Sequence, residues 1–428
     1  MTRLLYSLTL YLAVPVILLR LYLRGRKAPA YRQRIPERFG KYVPPANFNS
    51  LKQTLWIHAV SVGEASAAAP LVRELQIRYP DSQILVTTMT PTGSDNILGA
   101  FNDQVFHCYL PYDLPGAVDR FIHRFNPSLL ILMETELWYN LIHSCVSQQV
   151  KLILANARLS ENSAKGYRRF LGFTRGMLSR FDFIAAQAQA DADRFVKLGA
   201  DPKKIMIAGS LKFNVNLDID KSKDDAVLLS IKESGRTVII AASTREGEEQ
   251  KVLRVFLKVL KEYPSVLLIL VPRHPERFDS VAKLCEAQNL IVSRRSEKQA
   301  VDWSTQVYLG DTMGEMLSYY QISCIAFVGG TLVDTGCQNV LEPAALGLPV
   351  VVGPSQYNFA TICAQLEAAG GLHTVANEAE LTKYLTSLIR DPARQRQIGT
   401  AARTLVDANK QALPTLLKII ADIGIRNT

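Results

Sequence analysis

Apolar positions along this chain fall into runs whose order repeats. Nearly continuous apolar stretches of strand length occur at 55–60 (LWIHAV), 84–89 (ILVTTM), 105–110 (VFHCYL), 129–133 (LLILM), 151–155 (KLILA), 181–186 (FDFIAA) and 205–210 (IMIAGS). Between several of them lie stretches of helical periodicity, such as APLVRELQIRY at 69–79. A polar, charged interval follows from Val215 to Arg236. A second series then runs through 237–243, 266–272, 290–293, 306–311, 324–330 and 349–353. Strands that are apolar throughout are buried on both faces, so their alternation with amphipathic helices predicts parallel sheets covered on both sides. The expected fold class is α/β, with Rossmann-like domains at 24–214 and 236–428, an interdomain linker at 215–235 and a cleft between the domains.

One apolar run fits neither kind. Leu4 to Leu19 (LLYSLTLYLAVPVILL) is followed by a collar of seven basic residues, Arg20, Arg24, Arg26, Lys27, Arg32, Arg34 and Arg38, against the single acid Glu37. At 1.5 Å per residue the apolar run is about 24 Å long, short of a bilayer core of about 30 Å unless Arg20 snorkels. Because the charge follows the apolar run instead of preceding it, a cleaved signal peptide fits poorly. The segment 1–23 is expected to be a membrane anchor whose basic flank stays cytosolic. Pro15 and Arg20 leave open whether it spans or lies in one leaflet.

Composition narrows the classes further. With 428 residues, 48% hydrophobic and 21% charged, the chain can bury more than one core. The six cysteines show no C-x-x-C pair and no metal spacing, and the histidines are dispersed, so neither a disulfide framework nor a metal site is expected. The formal charge of +10 is concentrated beside the anchor, with no basic helix interleaved with aromatics, which argues against nucleic acid.

Five strand ends carry candidate chemistry. In HAVSVGE, Glu64 opens an alanine-rich helical pattern, either as a cap or as a base presented at the carboxyl end of a strand. In FVGGTLVDTGCQNVLEPAALG, Gly329 and Gly330 let the backbone approach a ligand, and a helix start near Asn339 offers N–H groups to a phosphate. Glu342 there serves either two ribose hydroxyls or the helix dipole. The loop VPRHPERF presents Arg273, His274 and Arg277 either to a phosphate or base edge or to solvent. Lys212 in GSLKFN is a phosphate ligand or a surface lysine. Glu134 and Glu136 in METELW alternate direction if extended, so at most one of them faces the cleft.

Taken together, RGRKAPAYRQR, HAVSVGE, TTMTPTGSD, LPYDLP, METELW, NARLS, GSLKFN, LVPRHPERF, GDTMGE and FVGG resemble the Kdo transferase family nearly end to end and in consistent order. The resemblance implies the GT-B plan and transfer of 3-deoxy-D-manno-octulosonic acid (Kdo) from CMP-Kdo to a lipid A precursor in lipopolysaccharide synthesis. It places the catalytic domains on the cytoplasmic side of the inner membrane and calls for no separate cofactor. It assigns Glu64 as proton acceptor, and Pro272, Arg273, Met313, Gly314, Glu315 and the run Asn339, Val340, Leu341 and Glu342 as CMP contacts, with Lys212 set to steady the leaving phosphate. The chain departs from the family's Gly-Gly-His-Asn-Pro-Leu-Glu at Cys337, Gln338 and Val340, and Arg245 stands where a histidine is expected. A UDP-sugar transferase of the same fold and a non-catalytic nucleotide-binding membrane protein are the alternatives. Nucleotide protection separates the first, and turnover the second.

Overall fold

The computed structural model describes residues 3–215, 217, 225–298 and 300–424. The chain divides into two compact units, 1–214 with 409–428, and 215–408. In the first unit, β1 (Thr54–His58), β2 (Gln83–Thr88), β3 (Phe106–Tyr109), β4 (Pro127–Met133), β5 (Lys151–Ala157), β6 (Phe183–Ala186) and β7 (Ile205–Ile207) form one parallel sheet. Its order is β3-β2-β1-β4-β5-β6-β7. The second unit repeats the plan with β8 (Val238–Thr244), β9 (Leu267–Pro272), β10 (Val292–Arg294), β11 (Val307–Leu309), β12 (Ile325–Val328), β13 (Val350–Val352) and β14 (Leu372–Thr374), in the order β10-β11-β9-β8-β12-β13-β14.

Every residue of β1, β2, β8 and β9 is buried apart from Ser243, because helices cover both sheet faces. One face of the first sheet packs Leu55, Ile57 and Val86 on Leu71, Val72 and Leu75 of the helix Val62–Arg78, and the other packs Trp56 and Leu130 on Phe121 and Ile142. Strand order reverses between β1 and β4 in the first sheet and between β8 and β12 in the second, where β11 also lies inside β10 at the edge. Open α/β sheets bind ligands outside the carboxyl ends of the strands at such a reversal.

Three boundaries differ from the sequence reading. The C-terminal end of the expected 236–428 domain belongs to the first unit. There Leu416, Leu417 and Ile420 of the helix Ala412–Asp422 join the same core as Leu71, and Asn214 Nδ2 donates to the Lys410 carbonyl at 2.9 Å. Of the expected linker 215–235, residues 216 and 218–224 lie outside the described residues. Its remainder holds the helix Ala226–Glu233, which buries Leu228 and Ile231 in the second unit. The edge strand β14 was not foreseen: its three residues, LHT, of which only Leu372 is buried, make no apolar run. At the other end, the helix Arg3–Lys27 continues past residue 23 and counts with the first unit.

Candidate active site

In the first unit the site residues gather around the β1/β4 reversal. Ser61, with extended backbone, is the N-cap of the helix Val62–Arg78, and its Oγ accepts the Glu64 N–H at 3.3 Å. Glu64 reaches back over the turn: Oε2 accepts from the Val60 N–H at 2.8 Å and Oε1 from Ser61 Oγ at 2.9 Å. This closely resembles a capping box, so the cap reading of Glu64 describes real bonds. The same bonds fix the carboxylate at the carboxyl end of β1. Glu64 is only 8% exposed, and that burial, opposed by its two hydrogen bonds and reinforced by Glu134 and Glu136, pushes its pKa from 4.5 to about 7. A carboxylate that is half-ionised near neutrality is suited to accepting a proton.

Glu134 follows β4 with φ at +57°, a left-handed conformation that non-glycine residues seldom adopt, and its N–H donates to the Ala155 carbonyl at 2.9 Å. Its carboxylate stands 3.8 Å from Lys212 Nζ. Lys212 is thus placed with the first unit's carboxylates. Glu136 accepts from Trp138 Nε1 at 2.6 Å, and burial raises its pKa. Behind them His58 is fully buried, its Nδ1 2.9 Å from Thr87 Oγ1, and burial holds its pKa down at about 3, so the ring is neutral.

The second unit builds its site around the β8/β12 reversal, and its organiser is a residue the sequence reading passed over. Glu248, fully buried at the start of the helix Glu248–Glu262, accepts from four backbone N–H groups. Gly330 and Arg245 donate to Oε2 at 2.6 and 3.1 Å, and Thr331 and Leu332 donate to Oε1, each at 2.9 Å. The amides of Gly330, Thr331 and Leu332, just past the strand end where a ligand was expected to approach the backbone, are therefore committed to an internal carboxylate. Gly329 is required for a different reason: a Cβ there would come within 2.7 Å of the Ser243 carbonyl oxygen and Thr244 Cα. The signal for Glu248 was present in STREGEE, where two acids open a helix directly after a strand. Glu248→Ala is expected to lower stability by at least about 3 kcal/mol in urea denaturation, because it leaves several buried donors unpaired.

Other residues of this unit surround that loop. Asn339 Oδ1 accepts from the Leu341 N–H at 3.0 Å, and its Nδ2 donates to Glu342 Oε1 at 2.9 Å, so the pair is pre-set at the start of the short helix Leu341–Ala345. Burial raises the Glu342 pKa and the charge of Arg273 opposes it, which puts these two expected contacts within electrostatic reach. Pro272 ends β9, Arg273 is exposed just beyond it, and its N–H donates to the Thr244 carbonyl at 3.0 Å. Arg245, standing where a histidine was expected, hydrogen-bonds His274. Val340 and Leu341 are buried, while Met313 is exposed beside Gly314, whose φ is +85°. The Glu315 carboxylate is held by Arg295 at 2.6 and 3.0 Å, with Thr312 and Tyr319 also donating, which lowers its pKa to about 2. Its side chain ties Thr312 to Tyr319 at the start of the helix Met316–Gln321. Cys337 is buried against Cys363, and Gln338 N donates to the Gly329 carbonyl at 3.2 Å. Among the described residues no three His, Cys, Asp or Glu side chains are grouped to hold a metal ion.

Comparison with known proteins adds an independent line. A family model described as 3-deoxy-D-manno-octulosonic-acid transferase (kdotransferase) matches residues 33–215. A 3-deoxy-D-manno-octulosonic acid transferase of Haemophilus influenzae is 40% identical over 432 aligned positions, covering 100% of both chains. Another, of Bordetella pertussis, is 34% identical with 99% of each chain covered. Among solved structures, a UDP-GlcNAc 2-epimerase from Neisseria meningitidis bound to UDP-GlcNAc superposes with a TM-score of 0.58 over 86% of this chain and 100% of its own, at 14% identity. At that identity the likeness concerns the fold alone.

Proposed function

Because the chain belongs to the 3-deoxy-D-manno-octulosonic acid transferase family, and is a glycosyltransferase on that ground, we propose that it moves Kdo from CMP-Kdo to a lipid A precursor, with Glu64 as general base. The donor, the acceptor and the cytoplasmic face of the inner membrane as its place of work are parts of this reading. The observation that carries the mechanism is the buried, doubly hydrogen-bonded Glu64 with its pKa near neutrality.

A sugar hydroxyl is a weak nucleophile until it loses its proton. The ionised Glu64 takes that proton as the acceptor oxygen bonds to the anomeric carbon of Kdo. The bond from that carbon to the phosphate oxygen breaks, and CMP departs with the electron pair. Attack from the face opposite CMP inverts the centre without a covalent enzyme intermediate. The Val60 N–H and Ser61 Oγ hold the carboxylate oxygens during this step, and a positioned base of this kind contributes about 10²–10⁴ in rate. In the second unit Arg273 supplies positive charge for the nucleotide phosphate, while Glu342, steadied by Asn339, accepts from ribose hydroxyls. Mass analysis of the lipid A precursor after incubation with CMP-Kdo tests the whole reading. Added mass corresponding to one or more Kdo units is expected, and an unchanged acceptor with active controls would overturn it.

The raised pKa of Glu64 also sets a pH dependence. Below pH 4.5 both folded and unfolded chains hold the proton. Between 4.5 and about 7 the unfolded chain releases it first, so this contribution to stability is lost as pH rises through about 7. Activity moves the other way, because only the ionised form accepts a proton. The rate is expected to climb through an apparent pKa of about 7, seen in steady-state profiles, while the melting temperature sheds a component over the same window that Glu64→Gln lacks.

A further inference from the structure

The N-terminal helix meets the first unit in a way that bears on how the protein sits at a membrane. The segment Arg3–Arg26 is long and apolar enough to cross a bilayer. A crossing helix of that length, about 36 Å at 1.5 Å per residue, would put its first turns on the far side from the basic collar. Yet those first turns are bonded to the globular unit. Tyr6 OH donates to Asp113 Oδ2 at 2.8 Å, and Arg3 Nε and Ser7 Oγ donate to Asn140 Oδ1 at 3.0 and 3.2 Å. Asp113 in turn accepts from the backbone N–H groups of Asn140 and Leu141 at 3.0 and 2.7 Å. The Tyr6 ring lies 5.5 Å from Phe173, which stacks on Tyr139 at 4.3 Å. At the other end, Arg32 folds back on the Tyr22 carbonyl at 3.1 Å, and Arg34 ties the following turn to Ser94 at 3.1 Å. Both ends of the helix are therefore fastened to one body.

Between Leu4 and Leu19 the exposed residues of the helix are apolar apart from Thr9 and the Tyr11 hydroxyl. Leu4 is 82% exposed, Leu12 73% and Val16 67%, whereas Ser7 and Leu21 face inward. Beside the Arg3 end a second apolar point projects: Phe170 and Leu171 are 53% and 44% exposed at the turn joining the helices Glu161–Arg168 and Leu171–Leu178, which also expose Lys165, Arg168 and Arg175, with Arg169 between them. Arg3, Arg169, Phe170 and Leu171 line one open hollow of about 490 Å³, so the turn and the helix start are neighbours. Apolar side chains ringed by arginines at two adjacent places match a surface of acyl chains beneath anionic headgroups.

We propose that the helix Arg3–Lys27 lies in one leaflet, clamped to the first unit through Tyr6, Asp113 and Asn140, and that the Phe170–Leu171 turn is a second lipid contact on the same face. The inference rests on the reading of the protein as a membrane-bound transferase, and it takes the one-leaflet arrangement of the two that the sequence left open. Full-length protein carrying Leu4→Cys, labelled with the fluorophore NBD, is added to preformed vesicles of phosphatidylethanolamine and phosphatidylglycerol. A helix in the outer leaflet leaves the probe open to externally added dithionite, so near-complete bleaching is expected. Protection until the vesicles are lysed would overturn the in-plane arrangement. In the same vesicles, Phe170→Asp with Leu171→Asp is expected to weaken binding at least about tenfold. Unchanged binding would remove the turn from the lipid face. Neither readout involves turnover, so loss of the transferase reading would show instead as inactivity on detergent-dispersed acceptor with both vesicle results intact.

Discussion

Glu64→Gln is expected to leave a folded protein that binds CMP-Kdo with normal affinity and has lost about 10²–10⁴ in kcat. The substitution keeps the side chain's shape and one hydrogen-bond acceptor but removes the charge that takes the proton. Glutamine can still receive one of the two bonds from Val60 N–H and Ser61 Oγ, so the structural cost resembles that of a weakened helix cap, about 1 kcal/mol. Thermal melting and steady-state rate measured on one variant therefore separate the two roles that the geometry combines. A nearly inactive enzyme with a small melting shift identifies the base. A fully active enzyme with the same shift would return Glu64 to capping alone and move the search for a base to Glu134 or Glu136.

Glu342→Ala is expected to raise the dissociation constants of CMP and CMP-Kdo together by at least tenfold, measured by calorimetry. Hydrogen bonds to a charged group are worth about 1.5–3 kcal/mol each, and 1.4 kcal/mol is a factor of ten. Asn339 holds the carboxylate at 2.9 Å before any ligand arrives, so little ordering remains to be done on binding. Because the contact is to the nucleotide and not to the reacting carbon, kcat at saturating donor should change far less than KM. Unaltered affinity in a variant of normal melting temperature would take Glu342 out of the nucleotide site.

Periodicity alone determined much of this protein. Thirteen of the fourteen strands among the described residues coincide with apolar runs, most of them because a strand buried on both faces is apolar at nearly every position, a pattern that needs no knowledge of partners. The strand–turn–helix junctions at Glu64, Arg273 and Asn339–Glu342 were legible because glycine, proline and small polar residues break such runs at fixed places. Tertiary structure decided the rest, through contacts between residues far apart in the chain. Ser61 and Glu64 are three apart, and their reciprocal bonding could be read locally, but the pKa of about 7 comes from burial and from carboxylates on another strand's loop. Glu248 looked like an ordinary acid at a helix start until the fold brought the Gly330–Leu332 amides, more than eighty residues later, onto its two oxygens. The last helix joined the first unit because Leu416, Leu417 and Ile420 found a core there, and no local pattern says which of two cores an amphipathic helix will complete. The N-terminal segment shows the same division: its sequence specifies an apolar helix with a basic collar, whereas its fastening at both ends depends on Asp113, Asn140 and Ser94, which only folding brings beside it.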